Sequence, residues 1–327
     1  MSTSERILLC PGQGAQKIGM GREWVESHPA SAQTFAAADE ALELSIGGSE
    51  AKLTDLCFNG PAESLNRTDV SQPALYTCSV ASYQGLLEME GSPAIRACAG
   101  LSLGEWTALH LAGVIGFIDG LRLVALRGRL MQEAAEASDG SMVALIGADE
   151  DQANEVCSAA AGGEVLVPAN FNATGQIVIS GSKNACTRSL EVAASMGLKA
   201  TELAVAGAFH SPLMEPAAEG LAKALEDIHL SPPQVPVWSN VTGEPHDGEN
   251  LDSIKKRLVE QLTSPVRWQQ CCTSMVETIQ PSDEQPLEWH EMAPGTVLRG
   301  LFRRIDRKVK VQTHDAPEPS ATSDSTS

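Results

Sequence analysis

Gly100-Leu101-Ser102-Leu103-Gly104 sets a serine between glycines, after the apolar run Ile95 to Ala99 and ahead of a helical pattern. A sharp strand-to-helix turn needs small flanking residues, and it would present the Ser102 hydroxyl at a helix N-terminus as an acyl-accepting nucleophile. There the Leu103 N–H is an unpaired donor, and the helix dipole favours the negative charge that builds on an oxyanion. By itself the pentapeptide also fits an ordinary glycine-rich turn. A second such turn, Pro11-Gly12-Gln13-Gly14-Ala15-Gln16, follows the apolar run Arg6 to Cys10. Its glycines do not form Gly-x-Gly-x-x-Gly and no Gly-Lys-Ser/Thr follows, which argues against a nucleotide site. The loop reads instead as the supplier of a second oxyanion N–H.

A serine at its free pKa needs a base. Of seven histidines, His210 lies in Gly207-Ala208-Phe209-His210-Ser211-Pro212, at a break between strand and helix patterns where a loop side chain can face a cleft. His28, His229, His246 and His314 occupy polar, surface-like segments and His110 and His290 apolar ones, so spacing puts His210 ahead by a narrow margin. Arg127 accompanies an apolar helical stripe of Leu121, Val124, Leu130 and Met131. It reads either as a snorkelling or salt-bridged guanidinium or as a bidentate clamp for a substrate carboxylate.

The elements that must position these groups alternate. Short apolar strands ending at glycine, with helical stretches such as Ser31 to Leu44 and Leu75 to Glu90 between them, predict a parallel sheet covered on both faces. From about Gly140 the order becomes strand (Met142 to Ile146), helix (Glu150 to Ala161), strand (Val165 to Pro168), strand (Gln176 to Ser180), helix (Lys183 to Met196) and strand (Lys199 to Val205), the βαββαβ order of a ferredoxin-like module. Leu287 to His290, before Pro294-Gly295, reads as one more strand. The expected division is residues 1–137 and 206–312 for a large α/β part, 138–205 for the inserted small part, and a disordered Ser/Thr/Pro/Asp-rich tail from 313 to 327.

The 327 residues, 43% hydrophobic and 20% charged, suit a globular chain of about two domains. With 23 Lys+Arg against 42 Asp+Glu, the net −19 disfavours nucleic-acid binding. No apolar run reaches the roughly 18–20 residues that span a bilayer, and Met1 to Arg6 lacks a signal-peptide pattern, so no membrane association and a cytoplasmic location are expected. The eight cysteines contain no Cys-x-x-Cys, and Cys271-Cys272 is an adjacent pair ill-suited to one metal, so reduced thiols and no metal are expected.

Taken together, Pro11-Gly12-Gln13-Gly14-Ala15-Gln16, Ser71-Gln72-Pro73-Ala74-Leu75, Gly100-Leu101-Ser102-Leu103-Gly104-Glu105, Leu126-Arg127-Gly128-Arg129-Leu130-Met131-Gln132, Gly207-Ala208-Phe209-His210-Ser211, Ser264-Pro265-Val266-Arg267-Trp268 and Glu291-Met292-Ala293-Pro294-Gly295 resemble the malonyl-CoA:acyl-carrier-protein transacylase family over roughly residues 6 to 310. The resemblance implies an α/β-hydrolase-like large subdomain with a ferredoxin-like insertion. It implies a serine acyltransferase that needs no cofactor and moves malonyl from malonyl-CoA to the pantetheine thiol of acyl carrier protein in fatty acid or polyketide synthesis. By position, Ser102 is the nucleophile, His210 the base and then acid, and the Gln261 main-chain carbonyl the group that orients it. The N–H groups of Gln13 and Leu103 form the oxyanion hole, Arg127 holds the malonyl carboxylate, and Gln72, Asn170 and Phe209 line the site. Two departures stand out: Leu101 where most members carry histidine, bearing on substrate tuning, and Thr174 where proline is common, expected to act only locally.

Arg299, Arg303, Arg304, Arg307, Lys308 and Lys310 put six basic residues into twelve positions of an acidic chain. They read as a docking patch for the acidic carrier protein or CoA phosphates, or as a solvated helix end complementing its own dipole. An acyl hydrolase or editing thioesterase on the same fold, and a non-catalytic docking partner of a synthase, are the competing functions. The Arg127 clamp argues against the first, and the presence of both Ser102 and His210 against the second.

Overall fold

In the computed structural model, which describes residues 4–281 and 285–318, the apolar run before Pro11 forms strand β1 (Glu5–Cys10). A hairpin of β2 (Leu44–Ile46) and β3 (Ser49–Ala51) follows, then β4 (Ala94–Gly100). Strands β5 (Gly140–Ile146), β6 (Leu166–Ala173), β7 (Gln176–Ser182) and β8 (Lys199–Glu202) come next, and β9 (Leu287–Glu291) and β10 (Val311–Thr313) close the chain. The large sheet has the order β10-β9-β1-β4 and is parallel at every pairing.

Alternate residues of β1 enter two different cores, as the period of a strand dictates. Leu8 and Cys10 pack with Leu75, Cys78 and Val124 from the helices Thr68–Glu90 and Phe117–Ala137. Ile7 and Leu9 pack with Trp268, Met275 and Phe302 from the helices Trp268–Thr278 and Val297–Ile305. Burial on both faces is why the run is continuously apolar, and it leaves the strands' carboxyl ends as the open edge where β1 and β4 hand over to their loops.

The inserted sheet, β6-β7-β5-β8, is antiparallel throughout, the strand arrangement of a ferredoxin-like unit. One face, with Val143, Leu145 and Ile179, packs on Val156 and Ala193 of its own helices Glu150–Ala160 and Lys183–Ser195. Met142 and Val178 of the opposite face join the core of the large part. Strand β6 runs on past Pro168, which the sequence pattern took as its end. A proline is tolerated because β6 is an edge strand, and its outer side is held by Phe171 N–H to Val266 O (2.9 Å) and Val266 N–H to Ala169 O (2.8 Å). Strand β8 stops at Glu202, short of the expected Val205.

The disordered tail expected from residue 313 needs correction at its start. Thr313 ends β10, His314 is buried, and the His314 carbonyl accepts from Trp24 Nε1 at 2.9 Å. The remainder of that expectation, residues 319–327, lies outside the described residues. No helix among the described residues is long and apolar enough to cross a membrane.

Candidate active site

Strand β4 ends at Gly100 and the helix Leu103–Leu111 begins within two residues, so the turn between them is tight. Ser102 has φ 52° and ψ −103°, and His210 has φ 57°; among the described residues these are the two non-glycine positions with positive φ. Such a conformation costs about 1–3 kcal/mol and persists only where the surroundings over-determine it. Here a Cβ on Gly104 would lie 2.0 Å from the Cys10 carbonyl oxygen, and one on Gly12 would lie 2.2 Å from that of Leu101. The glycines therefore let the β1 and β4 loops touch. Asn240 pins the turn: its Oδ1 accepts from Ser102 N–H at 2.5 Å and its Nδ2 donates to Gly100 O at 2.8 Å.

His210 approaches from another loop. Its Nε2 lies 2.9 Å from Ser102 Oγ, and its Nδ1 lies 2.8 Å from the main-chain oxygen of Gln261. A carbonyl only accepts, so Nδ1 carries the proton and Nε2 presents its lone pair to the serine hydroxyl. Burial, reinforced by the Arg127 charge and opposed by the Gln261 carbonyl, pushes the His210 pKa down to about 4. The imidazole is thus a neutral base at pH 7. The expected outcome is a pH profile of kcat/KM whose acid limb has its midpoint near 4, well below the usual histidine range; a limb at 6 to 7 for this group would contradict the geometry.

Arg127, on the helix Phe117–Ala137, does not snorkel; it is 1% exposed and points at Ser102 Oγ. Its Nη2 donates to Ser102 Oγ (3.2 Å) and Gln261 Oε1 (2.8 Å), and its Nη1 to Gln72 Oε1 (2.7 Å). All three acceptors are neutral. Burial lowers its pKa to about 10, still high enough to keep the cation at pH 7. A buried guanidinium bonded to neutral oxygens is poised to take a carboxylate, because an ion pair formed away from water is charge-assisted and weakly screened.

Ser102, Leu103, Gln13, Arg127, Asn170, Phe209 and His210 line one cavity of about 480 Å³. Gln72 and Gln261 stand behind it, reached through Arg127. The Leu103 N–H is at the first position of its helix, ahead of the intrahelical ladder, and Gln13 is in the facing loop. Met142, Asn172, Gln176 and Val178 of the inserted sheet form the opposite wall, and among the described residues Asn172 Oδ1 is buried without a hydrogen-bond partner. Leu101 lines the same cavity and packs against the Trp268 core. Of the six C-terminal basic residues none lines it, but Val297, Leu298 and Leu301, on the helix carrying Arg299, Arg303 and Arg304, do. Arg303, Arg304, Arg307, Lys308 and Lys310 are exposed; Arg304 reaches the carbonyls of Thr174 (3.5 Å) and Gly175 (3.4 Å).

Three residues at the site escape the sequence reading: Asn240, Glu105 and His246. The surface assignment of His246 is wrong, since its side chain is 1% exposed and its Nε2 lies 2.7 Å from Oε1 of the fully buried Glu105. His314, also read as superficial, is buried and stacked on His290. A polar turn such as Pro245-His246-Asp247-Gly248 gives no local sign that its histidine folds inward. The one available signal for Glu105 was a carboxylate on the first helical turn beside Ser102.

Residues 7–282 match the acyl transferase domain family. The chain is 42% identical over 296 residues to the malonyl CoA-acyl carrier protein transacylase of Escherichia coli K12, covering 90% of this chain and 91% of that one. It superimposes on the crystal structure of the malonyl-CoA:acyl carrier protein transacylase of Xanthomonas oryzae with TM-score 0.87 and 41% identity, covering 97% and 96% of the two chains. A structure of a type II PKS acyl-carrier protein in complex with its malonyl-transacylase aligns with TM-score 0.87 and 38% identity over 96% of this chain and 97% of that one.

Proposed function

Since the chain belongs to the acyl transferase family, among its malonyl-CoA:acyl-carrier-protein transacylases, we propose that Ser102 and His210 carry malonyl from CoA to the carrier protein's pantetheine thiol in two half-reactions, supplying fatty acid or polyketide synthesis. In the first, Nε2 of His210 takes the Ser102 proton as Oγ attacks the malonyl thioester carbonyl. The N–H groups of Gln13 and Leu103 hold the oxyanion, the C–S bond breaks, and the CoA thiolate leaves with the proton returned from Nε2. In the second, His210 Nε2 takes the proton of the pantetheine thiol, whose sulfur attacks the malonyl ester carbonyl; the C–Oγ bond breaks and Ser102 Oγ receives the proton back from Nε2. One thioester is exchanged for another, so the reaction is near thermoneutral and reversible. Arg127 takes the malonyl carboxylate, which places a counter-ion beside a charge otherwise met by neutral oxygens. We set the reaction in the cytoplasm, a reading supported by eight buried free thiols.

The observation that carries this reading is one oxygen, Ser102 Oγ, held at 2.9 Å from His210 Nε2 and 3.2 Å from Arg127 Nη2. Intact-mass analysis tests it. Malonyl-CoA alone should add one malonyl group to Ser102, and holo carrier protein should discharge it as malonyl-carrier protein. No adduct, or free malonate as the main product, would overturn the proposal.

We further assign carrier-protein docking to the C-terminal basic cluster of Arg299, Arg303, Arg304, Arg307, Lys308 and Lys310, five of which are exposed. Reversing both charges (Arg303→Glu with Arg304→Glu) should raise the KM for carrier protein about tenfold, on the scale of one to two kcal/mol for a pair of surface charges, with the KM for malonyl-CoA moved less than about twofold. An unchanged carrier-protein KM at low salt removes the docking assignment and leaves the chemistry standing.

A further inference from the structure

Behind the nucleophile lies a carboxylate that the two half-reactions leave unused. Glu105, on the first turn of the helix Leu103–Leu111, is completely buried. Its Oε1 accepts from His246 Nε2 at 2.7 Å, and its Oε2 accepts from the Asn240 main-chain N–H at 2.9 Å and from Gln261 Nε2 at 2.7 Å. A buried carboxylate is tolerated only when donors meet it in this way. The donors come from two segments distant in sequence: the loop containing Asn240 and His246, and the C-cap of the helix Leu251–Glu260, where Gln261 sits.

Gln261 is the donor that reaches the chemistry. Its main-chain oxygen receives His210 Nδ1 and its Oε1 receives Arg127 Nη2, each at 2.8 Å. A primary amide has one donating end and one accepting end, and its orientation is set by what each end meets. A carboxylate only accepts and a guanidinium only donates. With Glu105 (2.7 Å) and, more distantly, the Ser102 carbonyl (3.2 Å) accepting from Nε2 and Arg127 donating to Oε1, only one orientation satisfies all three, since a flipped amide would turn its NH₂ to Arg127 and its oxygen to Glu105. Glu105 neither lines the substrate cavity nor touches the nucleophile oxygen; it reaches the chemistry through Gln261 and, by way of the Asn240 N–H, through the turn that carries Ser102.

We infer that Glu105, held by His246 and Asn240, is a positioning residue that locks Gln261 so that this one residue serves the acid–base histidine and the carboxylate-binding arginine together. The inference rests on the roles proposed above for His210 and Arg127. It makes the two functions share a support: loosening Gln261 weakens acyl transfer in general and malonyl recognition in particular. His246 offers a handle away from the substrate, because it borders a separate cavity lined by Arg96, Pro236, Trp238 and Ile279, none of which lines the substrate cavity.

The test compares loading of Ser102 from malonyl-CoA and acetyl-CoA in the full-length enzyme, since acetyl needs the Ser102–His210 pair but makes no demand on Arg127. Glu105→Gln keeps the shape but replaces the acceptor-only carboxylate, the shorter of the two contacts to Gln261 Nε2, with an amide that can turn either end to it. Its malonyl kcat/KM is expected to fall about 30- to 100-fold, the scale of a charged buried hydrogen bond, and its malonyl-to-acetyl ratio to narrow about tenfold. His246→Ala should narrow the ratio by about threefold, and His246→Gln, which restores a donor to Glu105, should recover most of that loss. A merely structural role would lower the active fraction and leave the ratio alone. A folded Glu105→Gln enzyme with the wild-type ratio overturns the inference, and if that variant does not fold, an unchanged ratio in His246→Ala does so. Failure of the wild-type protein to form any malonyl adduct would instead strike the underlying function.

Discussion

Ser102→Ala should reduce malonyl transfer by about 10⁴- to 10⁶-fold and leave no malonyl adduct by intact mass, because the covalent intermediate has nowhere else to form. The fold is expected to survive, since alanine at Ser102 keeps the main-chain N–H that donates to Asn240 and removes only the hydroxyl shared by His210 and Arg127. His210→Ala should cost nearly as much: without Nε2 at 2.9 Å the hydroxyl has no acceptor for its proton, and Arg127 on the same oxygen can only donate. The double variant separates a working pair from two independent contributors. If Ser102 and His210 act as one unit, Ser102→Ala with His210→Ala is no slower than Ser102→Ala alone. Activity of either single variant within about 100-fold of wild type, measured as malonyl-carrier protein formed, would mean that another nucleophile or base does the chemistry.

The parts of this site that could be read from the sequence are those whose geometry is local. The elbow was legible because its requirement, small residues around Ser102, falls within five consecutive positions, and the close approaches at Gly12 and Gly104 give the physical reason. The parallel core was legible because β1 is buried on both faces and so loses the alternation of a half-exposed strand. The sheet order was not, since pairing β10 with β9 depends on contacts between segments with no shared pattern; a three-residue strand just before a polar tail carries almost no periodicity, and by composition alone Thr313 belongs with that tail. His210 was favoured only narrowly on spacing, because its partners, Ser102 and the Gln261 carbonyl, lie 108 and 51 residues away. Glu105, Asn240 and His246 were missed for one shared reason. Each is polar in a setting where polar residues are ordinarily solvated, and only tertiary packing turns them inward to satisfy one another.

Arg127→Ala should separate substrate choice from chemistry. Malonyl loading is expected to drop by about 10²- to 10³-fold, the scale of losing a buried, charge-assisted contact to a carboxylate, whereas acetyl loading falls less than about tenfold, through loss of the donor to Ser102 Oγ. The acid limb of the profile supplies a second, independent reading. Arg127 contributes to holding the His210 pKa down near 4, so removing its positive charge favours the imidazolium, and water admitted to the vacated space does the same by relieving desolvation. Both effects raise the pKa, and the acid limb for acetyl loading must therefore move upward from about 4 toward the ordinary histidine range. The bound malonyl carboxylate, by neutralising the same charge, should push the limb of kcat above that of kcat/KM in the wild-type enzyme, and this separation should be lost in the variant. If malonyl and acetyl loading fell in parallel and the limb stayed where it was, Arg127 would be a structural cation that neither recognises the carboxylate nor tunes the base.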